Sequence, residues 1–176
     1  MKQILFAAAG LLTLAGCATT PSRVTPSASG SAKVEERKPL KRLRVRTTAY
    51  TGKRNALSQP LSHGPVISAA SDWSQFPVGT RFRVVQTGKM YVIDDYGSAL
   101  VGTRTIDLAK RNQAGIKEWG VRWVDIEILE WGSYRKSLEI LTPRQHARYV
   151  RPMVAALKKH TQGLPKTFHR IGDDNL

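Results

Sequence analysis

The segment from residue 95 to residue 108 carries the strongest signal in the chain. It reads Asp95-Tyr96-Gly97-Ser98-Ala99-Leu100-Val101-Gly102-Thr103-Arg104-Thr105-Ile106-Asp107-Leu108. A glycine-containing loop separates two aspartates, and the second aspartate lies in an alternating stretch typical of a β-strand. A third aspartate, Asp72, lies upstream in another turn-rich segment, residues 71–80. Because the chain has only 13 acidic residues against 28 basic ones, three aspartates beside turns call for a chemical explanation.

Outward from this segment, apolar residues alternate with a period of two, which predicts short strands. The predicted strands are residues 43–50, 66–70, 81–86, 90–93, 105–109 and 122–130. Thr87-Gly88-Lys89 is typical of a hairpin turn. A short helix is predicted over residues 110–118. Several short strands separated by Gly and Pro predict an all-β fold, a small β-barrel with short helices.

The C-terminal part changes character. Thr142-Pro143 is typical of a helix start, and Pro152 is predicted to kink or split the helix that follows. We expect this basic helix to pack on the barrel through four residues, which are Tyr149, Met153, Val154 and Leu157. A role of its basic face in anion binding is the alternative.

The N-terminal part predicts export. Residues 4–14 form an apolar run after Lys2 that is too short to span a membrane and has the shape of a secretory signal peptide. The run ends in Leu14-Ala15-Gly16-Cys17, which resembles the lipobox of bacterial lipoproteins. The resemblance implies cleavage after residue 16 and acylation of Cys17, the single cysteine, which would anchor the protein to a membrane. Ala18 then implies the outer membrane, with the protein facing the periplasm. The alternative is an ordinary signal peptide with an incidental cysteine.

Composition divides the chain into four regions. Residues 1–16 are the predicted lipoprotein signal peptide, and residues 17–40, rich in Ser, Thr, Pro and charged residues, are a predicted disordered tether. Residues 41–132 are the predicted barrel domain, and residues 133–176 are a predicted helical extension.

The quoted segments are similar to the three-aspartate (3D) domain, which occurs in the membrane-bound lytic murein transglycosylase A family and in short stand-alone cell-wall proteins. The matching stretches are Thr48-Ala49-Tyr50, Asp72, Pro77-Val78-Gly79-Thr80, residues 95–102, Ile106-Asp107-Leu108, Trp119-Gly120 and residues 124–129. The resemblance implies a double-psi β-barrel. It also implies a lytic transglycosylase, which cleaves the MurNAc–GlcNAc β-1,4 bond of peptidoglycan and forms 1,6-anhydro-MurNAc.

The resemblance assigns roles to the aspartates. Asp107 is the expected catalytic acid, with Asp95 and Asp72 in the same cleft. A neighbouring carboxylate such as Asp95 would raise the pKa of Asp107 and keep it protonated. The alternative is that these aspartates cap turns or accept hydrogen bonds from backbone amides, and we expect that role for Asp94. The expected substrate-binding residues lie in or beside the matching segments: Tyr50, Trp73, Tyr96, Gly97, Ser98 and Arg104. Trp119, Trp123 and Trp131 are further candidates for stacking on sugars, although such residues belong more often to the core than to a ligand site.

The chain departs from the family in two ways. One extra residue lies between Gly102 and Asp107, and the chain has no room for the second domain of the large transglycosylases. A non-catalytic module that binds peptidoglycan is therefore the alternative function.

Other kinds of chemistry have weak signals. The four histidines lack metal-ligand spacing, so no metal and no cofactor is expected, while a calcium ion among the aspartates stays an open alternative. The net charge of +15 attracts polyanions, but export argues against nucleic acid. The expected partners are peptidoglycan glycan strands, the membrane through Cys17, and other cell-wall enzymes.

Overall fold

The computed structural model describes residues 38–162, which form a closed barrel with three short helices. The strands are β1 (Lys41–Tyr50), β2 (Val66–Ala70), β3 (Arg81–Val84), β4 (Met90–Asp95), β5 (Ile106–Ala109) and β6 (Arg122–Glu130). The helices are α1 (Gln113–Trp119), α2 (Tyr134–Leu141) and α3 (Val150–Gln162). The prediction of a small all-β barrel with short helices is confirmed, and each predicted strand is present with ends shifted by two residues at most.

The strands are interleaved around the barrel in the order β1-β5-β2-β4-β3-β6, and β6 pairs with β1 to close it. β1 pairs with β5 in parallel, as does β2 with β4, while the remaining neighbours are antiparallel. The parallel β2–β4 pairing and the antiparallel β2–β5 pairing bring the ends of β2 and β4 beside the start of β5. Residues far apart in the sequence therefore meet at one end of the sheet.

Inward-facing and outward-facing side chains alternate along the strands, and the inward-facing ones fill the barrel. Val45 and Thr47 of β1 point inward, and so do Val124, Ile126 and Ile128 of β6, all of them nearly inaccessible to water. The intervening residues of β1 and β6 are more exposed. Burying this apolar set is the main contribution to stability, at roughly 25 cal/mol for each Å² removed from water.

The C-terminal part differs from the prediction. Thr142 does not start the long basic helix but caps the end of α2, a helix that the sequence analysis did not predict, and its hydroxyl donates to the Leu138 carbonyl at 2.6 Å. A single 3₁₀ turn follows over Thr142–Arg144. The next helix begins only at Val150, so Pro152 lies in its first turn, where a helix needs no amide donor. The predicted kink at Pro152 is therefore wrong.

Helices α2 and α3 belong to the same core as the barrel. Leu141, Val150, Met153, Val154 and Leu157 are buried in one cluster with the inward-facing strand residues. Packing through the last three is confirmed, whereas the Tyr149 side chain is substantially exposed.

The entry to α2 is fixed by the turn between β2 and β3. The Ser133 amide donates to the Val78 carbonyl at 3.0 Å, and the Val78 amide donates to the Ser137 hydroxyl at 2.9 Å. At Gly132 the two chain segments touch, and a Cβ there would overlap the carbonyl oxygens of Pro77 and Val78. Only glycine allows this approach.

The predicted signal peptide, Cys17 and the tether up to residue 37 lie outside the described residues, as do residues 163–176. Within residues 38–162, no helix is long and apolar enough to cross a membrane.

Candidate functional site

An open cleft of about 300 Å³ lies where β1, the ends of β2 and β4, and the start of β5 meet. Six of the nine predicted catalytic and substrate-binding residues line it, which are Tyr50, Asp95, Tyr96, Gly97, Ser98 and Asp107. The structure thus brings together two of the three predicted aspartates, twelve positions apart in the sequence, on one concave surface.

Asp107 enters the cleft from β5. The parallel pairing places it opposite Thr48 of β1, and the Thr48 hydroxyl donates to Asp107 Oδ1 at 2.8 Å. Burial raises the pKa of Asp107 above its ordinary value, and the hydrogen bond from Thr48 partly opposes this rise. The sequence reasoning assigned the rise to the charge of Asp95, and the structure assigns it to desolvation instead. A carboxyl group that keeps its proton at higher pH is better suited to act as a general acid.

Asp95 is the second carboxyl group in the cleft. The Tyr50 hydroxyl donates to Asp95 Oδ2 at 3.0 Å, and the Tyr96 amide donates to Oδ1 at 2.9 Å. Burial raises the pKa of Asp95, its hydrogen bonds lower it, and the nearby charge of Asp94 raises it further. Burial and the carboxylate of Asp95 also raise the pKa of Tyr50, so the Tyr50 phenol keeps its proton and donates it in the hydrogen bond to Asp95. Both oxygens of Asp95 are thus occupied, in contrast to the single side-chain bond of Asp107.

Asp72 lies beneath the cleft and does not line it, being only 2% exposed. Its Oδ1 accepts hydrogen bonds from the Ser74 amide at 2.8 Å and from the Ser74 hydroxyl at 2.7 Å. Its Oδ2 accepts one from the Gly102 amide at 2.7 Å. Asp72 therefore ties the end of the glycine-containing loop to the β2–β3 turn. The expectation that it faces the cleft as a third catalytic carboxyl group is corrected to a positioning role.

Trp73 also lies beneath the cleft. Its side chain is 0% exposed, and its indole nitrogen donates to the Asp95 carbonyl at 2.8 Å. The ring meets Tyr96 edge to face, with centroids 5.0 Å apart. With no face open to solvent, Trp73 cannot stack on a sugar in this structure, and it supports Asp95 and Tyr96 from behind.

Arg104 lies away from the cleft. Its guanidinium carbon is 5.9 Å from the centroid of the Phe76 ring, and it is not among the residues that line the cavity. The expectation that Arg104 contacts substrate is therefore not met by its position.

Asp94 takes a structural role, as expected, and accepts hydrogen bonds from side chains as well as from the Ala69 backbone. Its Oδ2 accepts from the Ser68 hydroxyl at 2.6 Å and from the Asn55 amide nitrogen at 2.8 Å. It thereby fastens the segment after β1 to β2.

The sequence named Trp123 as a candidate for stacking on sugars, but it did not reveal the outward-facing row that Trp123 forms with Arg46 and Thr48 beside the cleft. Arg46 and Thr48 line the cleft from the outer face of β1, and the antiparallel pairing places Trp123 of β6 opposite Arg46. Trp123 is 60% exposed, which is unusual for so large an apolar side chain. The alternation in β1 could have placed Arg46 and Thr48 on one face, but the pairing with β6 is long-range and has no local signal.

No cluster of three or more His, Cys, Asp or Glu side chains that could hold a metal ion occurs between residues 38 and 162. The cleft itself offers two carboxyl groups with raised pKa values, a phenol and an arginine.

Comparison with known proteins does not assign the chain to a family. No protein-family model matches the chain, and a search of curated proteins finds no match. The resemblance to the 3D domain stays a prediction from the spaced sequence motifs.

Proposed function

We propose that this protein is an exported, lipid-anchored lytic transglycosylase that acts on peptidoglycan glycan strands. The observation that carries the proposal is the pair of carboxyl groups in one open cleft, with Asp107 desolvated and only lightly bonded. A cell-envelope glycan also suits the strongly basic chain, since peptidoglycan carries carboxylates. Anchoring through Cys17 at the outer membrane is part of the same proposal.

The chemistry needs one proton donor. Protonated Asp107 gives its proton to the glycosidic oxygen between MurNAc and GlcNAc, and the bond from that oxygen to the MurNAc anomeric carbon breaks. The C6 hydroxyl of the same MurNAc attacks the anomeric carbon and passes its proton to the Asp107 carboxylate. The acid is thereby regenerated, the product is 1,6-anhydro-MurNAc, and no water is consumed.

The hydrogen bonds of Asp95 fit this scheme. A retaining hydrolase needs a free carboxylate nucleophile, and an inverting hydrolase needs a carboxylate base that activates water. Both oxygens of Asp95 are occupied, by Tyr50 and by the Tyr96 amide, which suits stabilisation of positive charge rather than nucleophilic attack.

The test is digestion of purified sacculi with mass analysis of the released muropeptides. We expect anhydro-muropeptides from the wild type and a loss on the order of 10²–10⁴-fold from Asp107→Asn, since an amide cannot donate the acidic proton. The matched control is Asp125→Asn, on the outer face of β6, which should retain activity. Cleavage by Asp107→Asn at the wild-type rate would falsify the assignment, and reducing-end products would indicate a hydrolase.

A non-catalytic module that binds glycan strands is the second candidate. It is favoured by the exposed side chains of Arg46 and Trp123 beside the cleft. The cleft is also open, with a wall formed by a single barrel. Pelleting of the wild type with sacculi, without release of any muropeptide, would support this second candidate.

A further inference from the structure

A second cavity, of about 460 Å³, lies at the end of the β2–β4 pair opposite the cleft. It shares no lining residue with the cleft. Tyr91, which lines it, is paired with Ile67 near the start of β2, whereas Asp95 is paired with Ala70 at the end of β2. Tyr91 and Asp95 lie four steps apart along β4, about 13 Å at 3.3 Å per residue. The volume is within the range of about 300–1,000 Å³ that small-molecule pockets occupy.

The cavity carries an excess of positive charge. Lys89, Lys110 and Arg111 line it, against the single carboxylate of Glu118 among its lining residues. The Arg111 guanidinium donates to the His63 carbonyl at 3.2 Å, which holds it at the rim. Three cations from the β3–β4 hairpin and from the segment before α1 thus converge on one volume.

Lys110 is the most constrained of these cations. Its ammonium nitrogen lies 4.1 Å from the centroid of the Trp119 ring, and the Arg122 guanidinium carbon lies 4.5 Å from the same centroid. Burial lowers the pKa of Lys110, repulsion from Lys89 and Arg122 lowers it further, and Glu118 partly opposes this. An anion in the cavity would relieve that repulsion.

We propose that this cavity is a binding site for a phosphate monoester, held by Lys89, Lys110 and Arg111. The arginine fork suits bidentate recognition of phosphate or carboxylate. Three cations facing one carboxylate suit a dianion better than a single negative charge. The cavity volume leaves room for the esterified group beside the phosphate.

The test is isothermal titration of the purified full-length protein with glycerol 3-phosphate at fixed ionic strength. We expect saturable binding and a higher melting temperature, because a ligand that binds only the folded state stabilises it. Sodium chloride at matched ionic strength should give neither effect. Succinate, a dicarboxylate, should bind at least about tenfold more weakly. Absence of binding, or equal binding of succinate, overturns the phosphate assignment.

Two variants locate the ligand. Arg111→Gln removes the guanidinium fork from the cavity rim, so affinity should fall at least about tenfold. Lys89→Gln changes an exposed side chain of the hairpin turn and should also weaken binding, which keeps the test decisive if Arg111→Gln does not fold. The matched control is Lys117→Gln, an exposed residue of α1 outside the cavity. Binding unchanged in Lys89→Gln, or weakened equally in Lys117→Gln, overturns this location.

Discussion

Three aspartates that share one motif differ in their surroundings. Asp107 and Asp95 lie in the cleft with raised pKa values, whereas Asp72 accepts three hydrogen bonds beneath it. The motif identified all three, but sequence spacing does not distinguish a carboxyl group that acts on a ligand from one that holds a loop. The difference depends on the partners that each side chain meets after the chain has folded.

The raised pKa of Asp107 predicts a pH-dependent stability. Between the pKa of the unfolded chain, about 3.9, and the higher folded value, the folded state binds more protons. The free energy of unfolding therefore falls as the pH rises through this window. Asp107→Asn has no proton to lose, and its amide oxygen can still accept from Thr48. We expect the free energy of unfolding of the variant at pH 7 to exceed that of the wild type by about 0.5–2 kcal/mol. The variant should therefore melt at a higher temperature.

The measurement is thermal denaturation at pH 7 and at pH 3. At pH 3 the wild-type carboxyl group is protonated, so the difference between the two proteins should largely disappear. Asp125→Asn, a half-buried residue on the outer face of β6, is the control and should shift less than Asp107→Asn at pH 7. A variant less stable than the wild type at pH 7 would contradict the assigned burial of Asp107.

The secondary-structure elements show what local pattern can predict. The strands were predictable because inward and outward residues alternate, as in Val45, Arg46 and Thr47 of β1. Helix α2 was missed although Ser133 caps it by accepting from the Lys136 amide, and Tyr134, Leu138 and Leu141 follow helical spacing. The Thr142-Pro143 pair predicted a competing helix start about two turns later. The parallel pairing of β1 with β5, which creates the cleft, joins residues about 60 positions apart and has no local sequence signal.

The row of side chains along β1 and β6 predicts a role for Trp123 in glycan binding. Trp123 is exposed and paired with Arg46, which lines the cleft. Because aromatic rings present large apolar faces to ligands, Trp123→Ala should weaken pelleting with sacculi several-fold. The melting temperature should change little, since the side chain buries little surface.

The contrast with Trp131 tests whether position matters. Trp131 is 37% exposed and lies in a different cavity from the cleft. Trp131→Ala should leave sacculus binding close to that of the wild type. Equal losses of sacculus binding in the two variants would indicate general apolar adhesion. Unchanged binding by Trp123→Ala would contradict the role of Trp123 in glycan binding.

At the scale of the whole molecule, the barrel and its C-terminal helices share one core. Four side chains of α3, Val150, Met153, Val154 and Leu157, are almost fully buried. At about 1.5–3 kcal/mol each, they contribute roughly 6–12 kcal/mol of burial, similar to the total stability of a typical domain. Removing α3 would thus unfold the protein, so deletion cannot isolate the function of its basic residues.

Charge reversal of exposed arginines at and before the start of α3 can test the function of these basic residues without removing the helix. Arg148 and Arg151 are exposed, and the neighbouring Tyr149 ring lies 6.3 Å from the ring of Tyr96, which lines the cleft. Arg144 is unsuitable, because it is half-buried and donates to the Ala56 carbonyl at 2.9 Å. We expect the double variant Arg148→Glu and Arg151→Glu to weaken sacculus binding at low salt.

The expected loss follows from the range of the interaction. Exposed charges act over about 8–10 Å at physiological salt, so charges beside the cleft should matter more than equal charges elsewhere. The matched control is Lys38→Glu with Lys117→Glu, which changes the net charge by the same amount at two other exposed positions. Pelleting with sacculi at low and high salt, with melting temperatures to confirm folding, gives the comparison. Equal losses in both double variants would assign the attraction to net charge alone, and binding insensitive to reversal and to salt would rule out an electrostatic contribution from this surface.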